Sequence, residues 1–416
     1  MMNKDNRHIG ITVSFLAALS LTIFGAVGCE DPGPAGTRII YDRVEVLSSN
    51  TAPPMNDPQS DIWDEAARCF IKYGEVNADY VSEQALDWVE IRAIKAAGRL
   101  YLMAEWSDDS YSAYPEFIEH HRDSLYVPIS DTSVVIVLDT FTVTDTIDDV
   151  ITIDTFLLTY LDTSWVQQSR FIRQYTGTNP DDSGVYQDSI ISNAGRDQDR
   201  IAIIWDMGSN GTEKADCAIM CHDAGDTSIL GHRMFTNNAG FVDVWHWQSA
   251  KTDPAFLASD EYWSDQGRVS DGILSPIFES NFDTILEQPI YMHPDDATHP
   301  TETFVHDRFI HKDEAVPFLS VADGIPWQDG YKIPGFIVDD NASGSVADVS
   351  SFSRFTMTLG TEHWTVIMSR ELTTGNDDDI EFGAIQPGDS VQVSIAVMDN
   401  ADRLHAGSKP FYIVFP

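Results

Sequence analysis

The chain has 416 residues, 43% of them hydrophobic, with 10 Trp, 14 Tyr and 21 Phe, so it can build packed cores and is not globally disordered. That length allows two or three domains, or one large β domain with insertions. A formal net charge of −41 excludes nucleic acid as a partner, because phosphates would be repelled. It points to electrostatic steering of basic partners, or to the acid-rich surface common in exported and salt-adapted proteins.

Lys4 and Arg7 precede an apolar run from Ile9 to Phe24 that is too short and too early for a membrane span. It ends in Gly25-Ala26-Val27-Gly28-Cys29, small residues before a cysteine, which resemble the bacterial lipobox. By that resemblance residues 1–29 are a lipoprotein signal peptide and Cys29 becomes the lipidated first residue of the mature protein. The alternative is an uncleaved anchor helix. Either way the globular part is exported and held at a membrane, as a periplasmic or cell-surface protein. Residues 30–55 are rich in Pro, Gly, Ser and Asn and read as a flexible tether. The packed domain is expected over 56–416, opening at Asp57 to Ala67 with Trp63 as a core anchor.

Val89 to Lys95 alternates apolar and polar residues, Ala96-Ala97-Gly98 supplies a turn, and Leu100 to Trp106 returns, which predicts a hairpin. Ser133 to Asp139 reads as a buried strand from its β-branched run. Residues 140–165 repeat Thr, Asp and Ile and read as an inserted acidic hairpin, with insertion expected near 140–190. Arg200 to Trp205 is a further strand, and Val242 to Trp247 follows.

Long loops are expected near 250–330, where Trp263, His293, His299, His306 and His311 lie in sequence of weak periodicity. The histidines there read as surface or loop residues. Ile333 to Val338, His363 to Leu372, Val391 to Met398 and Phe411 to Phe415 read as strands. Asn376-Asp377-Asp378-Asp379-Ile380 lacks the spacing of an EF-hand and reads as a turn. Strands without alternating helices predict an all-β, antiparallel β-sandwich with long loop insertions.

One segment carries chemistry. Cys217-Ala218-Ile219-Met220-Cys221-His222 places two thiols and an imidazole within six residues. A C-x-x-C-H segment attaches a c-type haem, the thiols bonding the vinyl groups and the histidine ligating iron. Here three residues separate the cysteines. The competing readings are a small disulfide loop, free thiols, or zinc, which needs four ligands where only three are local. With Cys29 assigned to lipid and this pair to haem, Cys69 is left as a buried small hydrophobe.

The segments Val89 to Asp109, the Arg200 strand, the cysteine loop, Val242-Asp243-Val244-Trp245-His246-Trp247, Trp364 to Leu372 and Ser394 to Phe415 together resemble a family. It is the haem-binding domain of ethylbenzene dehydrogenase, shared by γ subunits of molybdenum enzymes of the dimethyl sulfoxide reductase family and by certain c-type cytochromes. The resemblance implies a β-sandwich similar to carbohydrate-binding modules. In the γ subunits a methionine and a lysine hold a b-type haem; Met234 and Lys409 occupy those places. The γ subunits lack the cysteine loop, so His222 is expected as one iron ligand. Met234, His405 or Lys409 is expected as the other, with Met234 preferred and His232 an outside candidate.

With the lipobox, the cysteine segment and the acid-rich composition beside this resemblance, the expectation is a lipid-anchored cytochrome with one covalent haem c that relays electrons to a redox protein with a basic docking face. Trp245 and Trp247 would pack on the porphyrin, and His246, alternating with both, would face away. No catalytic residues are expected. Two other readings stand: a haem-free carbohydrate-binding-like module, and an electron-transfer subunit of a molybdenum oxidoreductase.

Overall fold

The computed structural model describes residues 39–40, 42–72, 88–108, 111, 116–128, 146–147, 150–151, 163–175, 198–207, 236, 240–297, 309–318, 330–358, 362–399 and 406–416. The expected strand Ser133 to Asp139 lies outside them. The fold is all-β: the one α-helix among the described residues is the single-turn Asp61–Glu65, whose Trp63 is fully buried.

The predicted hairpin forms as Trp88–Ala96 and Arg99–Ser107, paired from Val89↔Trp106 to Ala96↔Arg99. Its two-residue turn has positive φ at both positions, 49° at Ala97 and 76° at Gly98, the twist that lets a tight hairpin close. Alternation then sorts the faces. Val89, Ile91, Ala93, Leu102, Ala104 and Trp106 enter the main core, while Ile94, Tyr101 and Met103 face outward under Trp63.

This hairpin belongs to a sheet continued by His363–Glu371 and Val349–Thr356. The facing sheet runs Leu257–Ser264, Val242–Gln248, Arg200–Asp206, Ser390–Met398 and Phe411–Val414, each antiparallel to the next. Ile201, Ile203, Trp205, Trp245, Trp247, Val393 and Ile395 point from it into the shared core.

Two crossings join the sheets. Leu257–Ser264 pairs through Leu257 and Ala258 with the first sheet and through Ser259 to Trp263 with the second. Its centrality corrects the expectation that 250–330 is loop insertion. On the other side Arg43–Glu45 lies parallel to Phe411–Val414, and Leu47–Ser48 lies parallel to Ile94 and Lys95. Val44 and Val46 are buried there, so the tether expected over 30–55 gives way to packed structure by Arg43. These parallel pairings make the sandwich mixed at its margin.

A separate three-stranded sheet pairs Glu116–Pro128 with Thr163–Tyr175 and with Lys332–Pro334. It has its own small core of Ile118, Met292, Ile310, Phe318, Tyr331, Ile333 and Ile337. Within the expected acidic hairpin, Thr146–Ile147 pairs with Val150–Ile151.

Candidate functional site

Cys29, Cys217, Cys221, His222, His232, Met234 and His405 lie outside the described residues. The anchorage of the cysteine segment is described. Arg200–Asp206 and Val242–Gln248 are antiparallel neighbours whose last pair is Asp206↔Val242. Residues 207–241 therefore leave and re-enter the sheet at one end of one strand pair. Thr236 tacks the returning limb down: its N–H donates to the Ser264 carbonyl at 2.9 Å and its hydroxyl to that of Gly240 at 2.8 Å.

The Val242–Gln248 strand presents two unlike faces. Trp245 and Trp247, both 0% exposed, point into the sandwich. Trp245 packs against Trp205 and Phe382, and Trp247 against Trp106 and Trp364. Trp247 Nε1 donates to Asp253 Oδ1 at 2.9 Å. A porphyrin against these indoles would have to sit within the sandwich. On the other face Val242 and Val244 join Ala202, Ile204, Trp263, Ala396 and Met398 in a second apolar cluster.

His246 lies on that outer side, as alternation predicts. It is 4% exposed, and burial, its largest influence, lowers its pKa and favours the neutral ring. Nδ1 stands 3.2 Å from Arg268 Nη2 and 3.4 Å from Glu261 Oε1. Nε2 is buried and has no hydrogen-bond partner. Burial alone would raise Glu261, but Arg268 and His246 outweigh it and hold its carboxyl down at about 2.

Lys409 is exposed, following Ser408, whose N–H donates to the Ile395 carbonyl at 2.8 Å. His293 and His311 are partly exposed; the His311 ring nitrogen lies 2.9 Å from Asp340 Oδ1. His299 and His306 lie outside the described residues.

A charged constellation that the sequence reading missed sits inside the sandwich at the end where the cysteine segment is rooted. Arg370 is 0% exposed. Its Nη2 donates to Asp243 Oδ2 at 2.6 Å and to the Ile380 carbonyl at 3.1 Å. Its Nη1 donates to Asp260 Oδ2 at 3.0 Å and Asp379 Oδ1 at 2.9 Å. The guanidinium carbon lies 5.1 Å from the Trp245 ring centroid and 5.3 Å from that of Phe382.

Burial would discharge Arg370, but Asp243, Asp260 and Asp379 outweigh it and raise its pKa. Asp243 in turn is pushed up to about 6, chiefly by burial and against the pull of Arg370. The one signal available in sequence was an arginine at an apolar position of a strand, followed by Asp377-Asp378-Asp379. Beside this constellation, oxygens of Asp271, Asp378 and Asp379 lie within 4.8 Å of one another. At the opposite end of the sandwich Asp108, Asp199 and Asp399 form another buried carboxylate group, and Trp364 Nε1 donates to Asp199 Oδ2 at 2.9 Å.

Among curated proteins none matches the chain. Two solved structures are similar to it. One is a carbohydrate binding module family 9 protein from Caldicellulosiruptor kristjanssonii in complex with glucose, with 6% identity and a TM-score of 0.30, covering 90% of this chain and 95% of that one. The other is such a module from the same organism in complex with cellotriose, with 7% identity and a TM-score of 0.27, covering 90% and 93%. The family described as Ethylbenzene dehydrogenase matches residues 60–409, from the helix that carries Trp63 to Lys409. By a match of that extent, the chain belongs to the ethylbenzene dehydrogenase family.

Proposed function

We propose that this oxidoreductase-related chain is an exported, lipid-anchored c-type cytochrome that carries one haem and passes electrons. The reading is carried by Cys217, Cys221 and His222, set between two adjacent strands of a chain in this family. Cys217 and Cys221 would hold the haem by thioether bonds and His222 would ligate its iron. When bound, haem supplies a one-electron couple; two protein ligands leave no open position for substrate. Cys29 would carry the lipid, and the acidic surface would steer a basic redox partner whose association slows as salt rises.

An apolar cluster beside the cysteine segment supports the reading. The outer cluster of Ala202, Ile204, Val242, Val244, Trp263, Ala396 and Met398, each no more than 4% exposed, lies next to the root of the cysteine segment. Beside a haem these side chains would bury the ring edge, exclude water and so tune the potential. The outer placement also adds His246 to the candidates for second ligand, beside Met234, His405 and Lys409. Its Nε2 is unpartnered, and the Glu261 carboxylate, 3.4 Å from Nδ1, is placed to accept a hydrogen bond from an Nδ1–H, the arrangement that orients ligating imidazoles.

The test is the full chain made with the cytochrome maturation machinery, denatured, separated and stained for haem. Stain at the chain's own mass, lost in Cys217→Ser and Cys221→Ser, is the expected result. Folded, colourless protein with both thiols unmodified refutes it. That outcome would not by itself establish a sugar-stacking module: among tryptophans with described side chains only Trp88 is exposed, at 40%. Family membership supports one other reading, an electron-transfer subunit of a molybdenum enzyme, which copurification with a large catalytic subunit would establish.

A further inference from the structure

The turn after His363–Glu371 was expected to be only a turn. The structure folds it against the hairpin Leu257–Ser264 and Gly267–Ser270, bringing Asp378 and Asp379 to Asp271. Asp271 is 2% exposed, and neither of its carboxylate oxygens has a hydrogen-bond partner. A buried carboxylate left so is expensive unless it is neutralised or coordinates a cation. The protein cation that acts on it is Arg370, which is already shared by Asp243, Asp260 and Asp379. Among the described residues, carboxyl groups therefore outnumber cations at this point of the interior.

The surroundings are built of the same oxygen donors. Asp348, at the end of the short helix Ser345–Ala347, is held 3.2 Å from Asn376 Nδ2, and the same amide nitrogen lies 3.1 Å from Asp379 Oδ2. The backbone next to Asp271 is fixed by Gly344, whose φ is 99° and where an added Cβ would lie 2.0 Å from the Gly272 carbonyl oxygen. Only glycine permits that approach.

We propose that Asp271, Asp378 and Asp379 bind a divalent cation, and that the cation is calcium. The donors are hard carboxylate oxygens with no histidine or cysteine among them, which disfavours zinc and copper. They come from two loops, and the Asn376 amide nitrogen ties Asp379 to Asp348 beside them, the all-oxygen, flexible setting that suits calcium. The ion would clamp the Asp271 hairpin to the turn at Asp378, next to the strand start that roots the cysteine segment.

The experiment uses the full chain, stripped with chelator and titrated with calcium chloride in a calorimeter at physiological ionic strength, with magnesium chloride as the comparison. One saturable calcium site per chain and a calcium-dependent rise in melting temperature are expected. Asp271→Asn should abolish the site, and Asp378→Asn should weaken it by about tenfold or more, since affinity follows ligand charge. Asp378 is only partly buried, so its variant decides the matter should Asp271→Asn fail to fold. A parent that binds no calcium, binding undiminished by Asp378→Asn, or magnesium binding as tight as calcium each overturns the assignment. None of these readouts depends on haem.

Discussion

Arg370→Met tests whether the interior charge constellation holds the sandwich together. The arginine is 0% exposed and its contacts to Asp243, Asp260 and Asp379 lie between 2.6 and 3.0 Å. Methionine fills much of the same volume between Trp245 and Phe382, so a cavity is not the main loss. What is lost is the counter-charge for three buried carboxylates. Removing one partner of a buried pair costs about 3–5 kcal/mol, because an uncompensated charge is left behind. Burial already favours the neutral acid at Asp243 and Asp260, so protonation relieves part of the loss and the lower part of that range applies.

Urea denaturation at fixed calcium and pH 7 reads the change as a shifted midpoint with unaltered slope. Asp243→Asn added to Arg370→Met should restore part of the loss, since it deletes a charge that has become unpaired. Arg43 and Glu45 give the internal control: their side chains are 51% and 43% exposed, so Glu45→Gln should change stability by less than about 1 kcal/mol. A loss below about 1 kcal/mol for Arg370→Met, or no recovery in the double variant, would refute the argument.

Other consequences follow from the same structure. Glu261 is ordinarily near 4.5 and is held at about 2 in the fold, so it stabilises the native state above its unfolded value and loses that contribution as pH falls toward 2. The difference is worth about 3 kcal/mol at neutral pH. Glu261→Gln should flatten the acid limb of the stability curve, and an unchanged limb would count against the Arg268 and His246 contacts. Cys69 is fully buried and burial pushes its thiol up to about 12, so iodoacetamide should label it only after unfolding; labelling of the native protein would contradict its placement.

The legible part of the fold was the part with clean alternation. Val89 to Trp106 announced itself by period-two apolar residues around a glycine turn, and Arg200 to Asp206 by a run of β-branched residues. Leu257–Ser264 escaped because its polar residues look like loop. Asp260 faces inward to Arg370, while Glu261 faces outward to Arg268, so both faces of a central strand carry charge. Arg43–Glu45 escaped because it is three residues long and pairs with the far end of the chain. The Arg370 constellation gathers Asp243, Asp260 and Asp379 from three separate segments, and no local pattern encodes such a meeting. The alternation of His246 with Trp245 and Trp247 was legible from the strand period. The tryptophans face a core full of protein aromatics, and the imidazole shares the side of the aliphatic outer cluster.

Topology bears on the second ligand of the proposed haem as well. The cysteine segment is rooted at Asp206 and Val242, whereas residues 399–405 follow Met398, which pairs with Arg200 at the other end of the same strand. At about 3.3 Å per residue those ends are about 20 Å apart. For His222 and His405 to meet one iron, chain from one or both roots would have to run most of that distance along the sheet. Met234 belongs to the same segment as His222 and needs no such traverse, and Thr236 ties that limb to the strand end at Ser264. Met234→Ala should therefore change the low-temperature spin resonance of the haem-loaded protein and lower its potential, a thioether ligand favouring ferrous iron. His405→Ala should leave the spectrum as it was. An unaltered spectrum in Met234→Ala, with the change appearing in His246→Ala, would move the ligand to the outer-face imidazole and keep the apolar platform; a change in His405→Ala alone would place the iron at the Arg200 end and remove the platform argument.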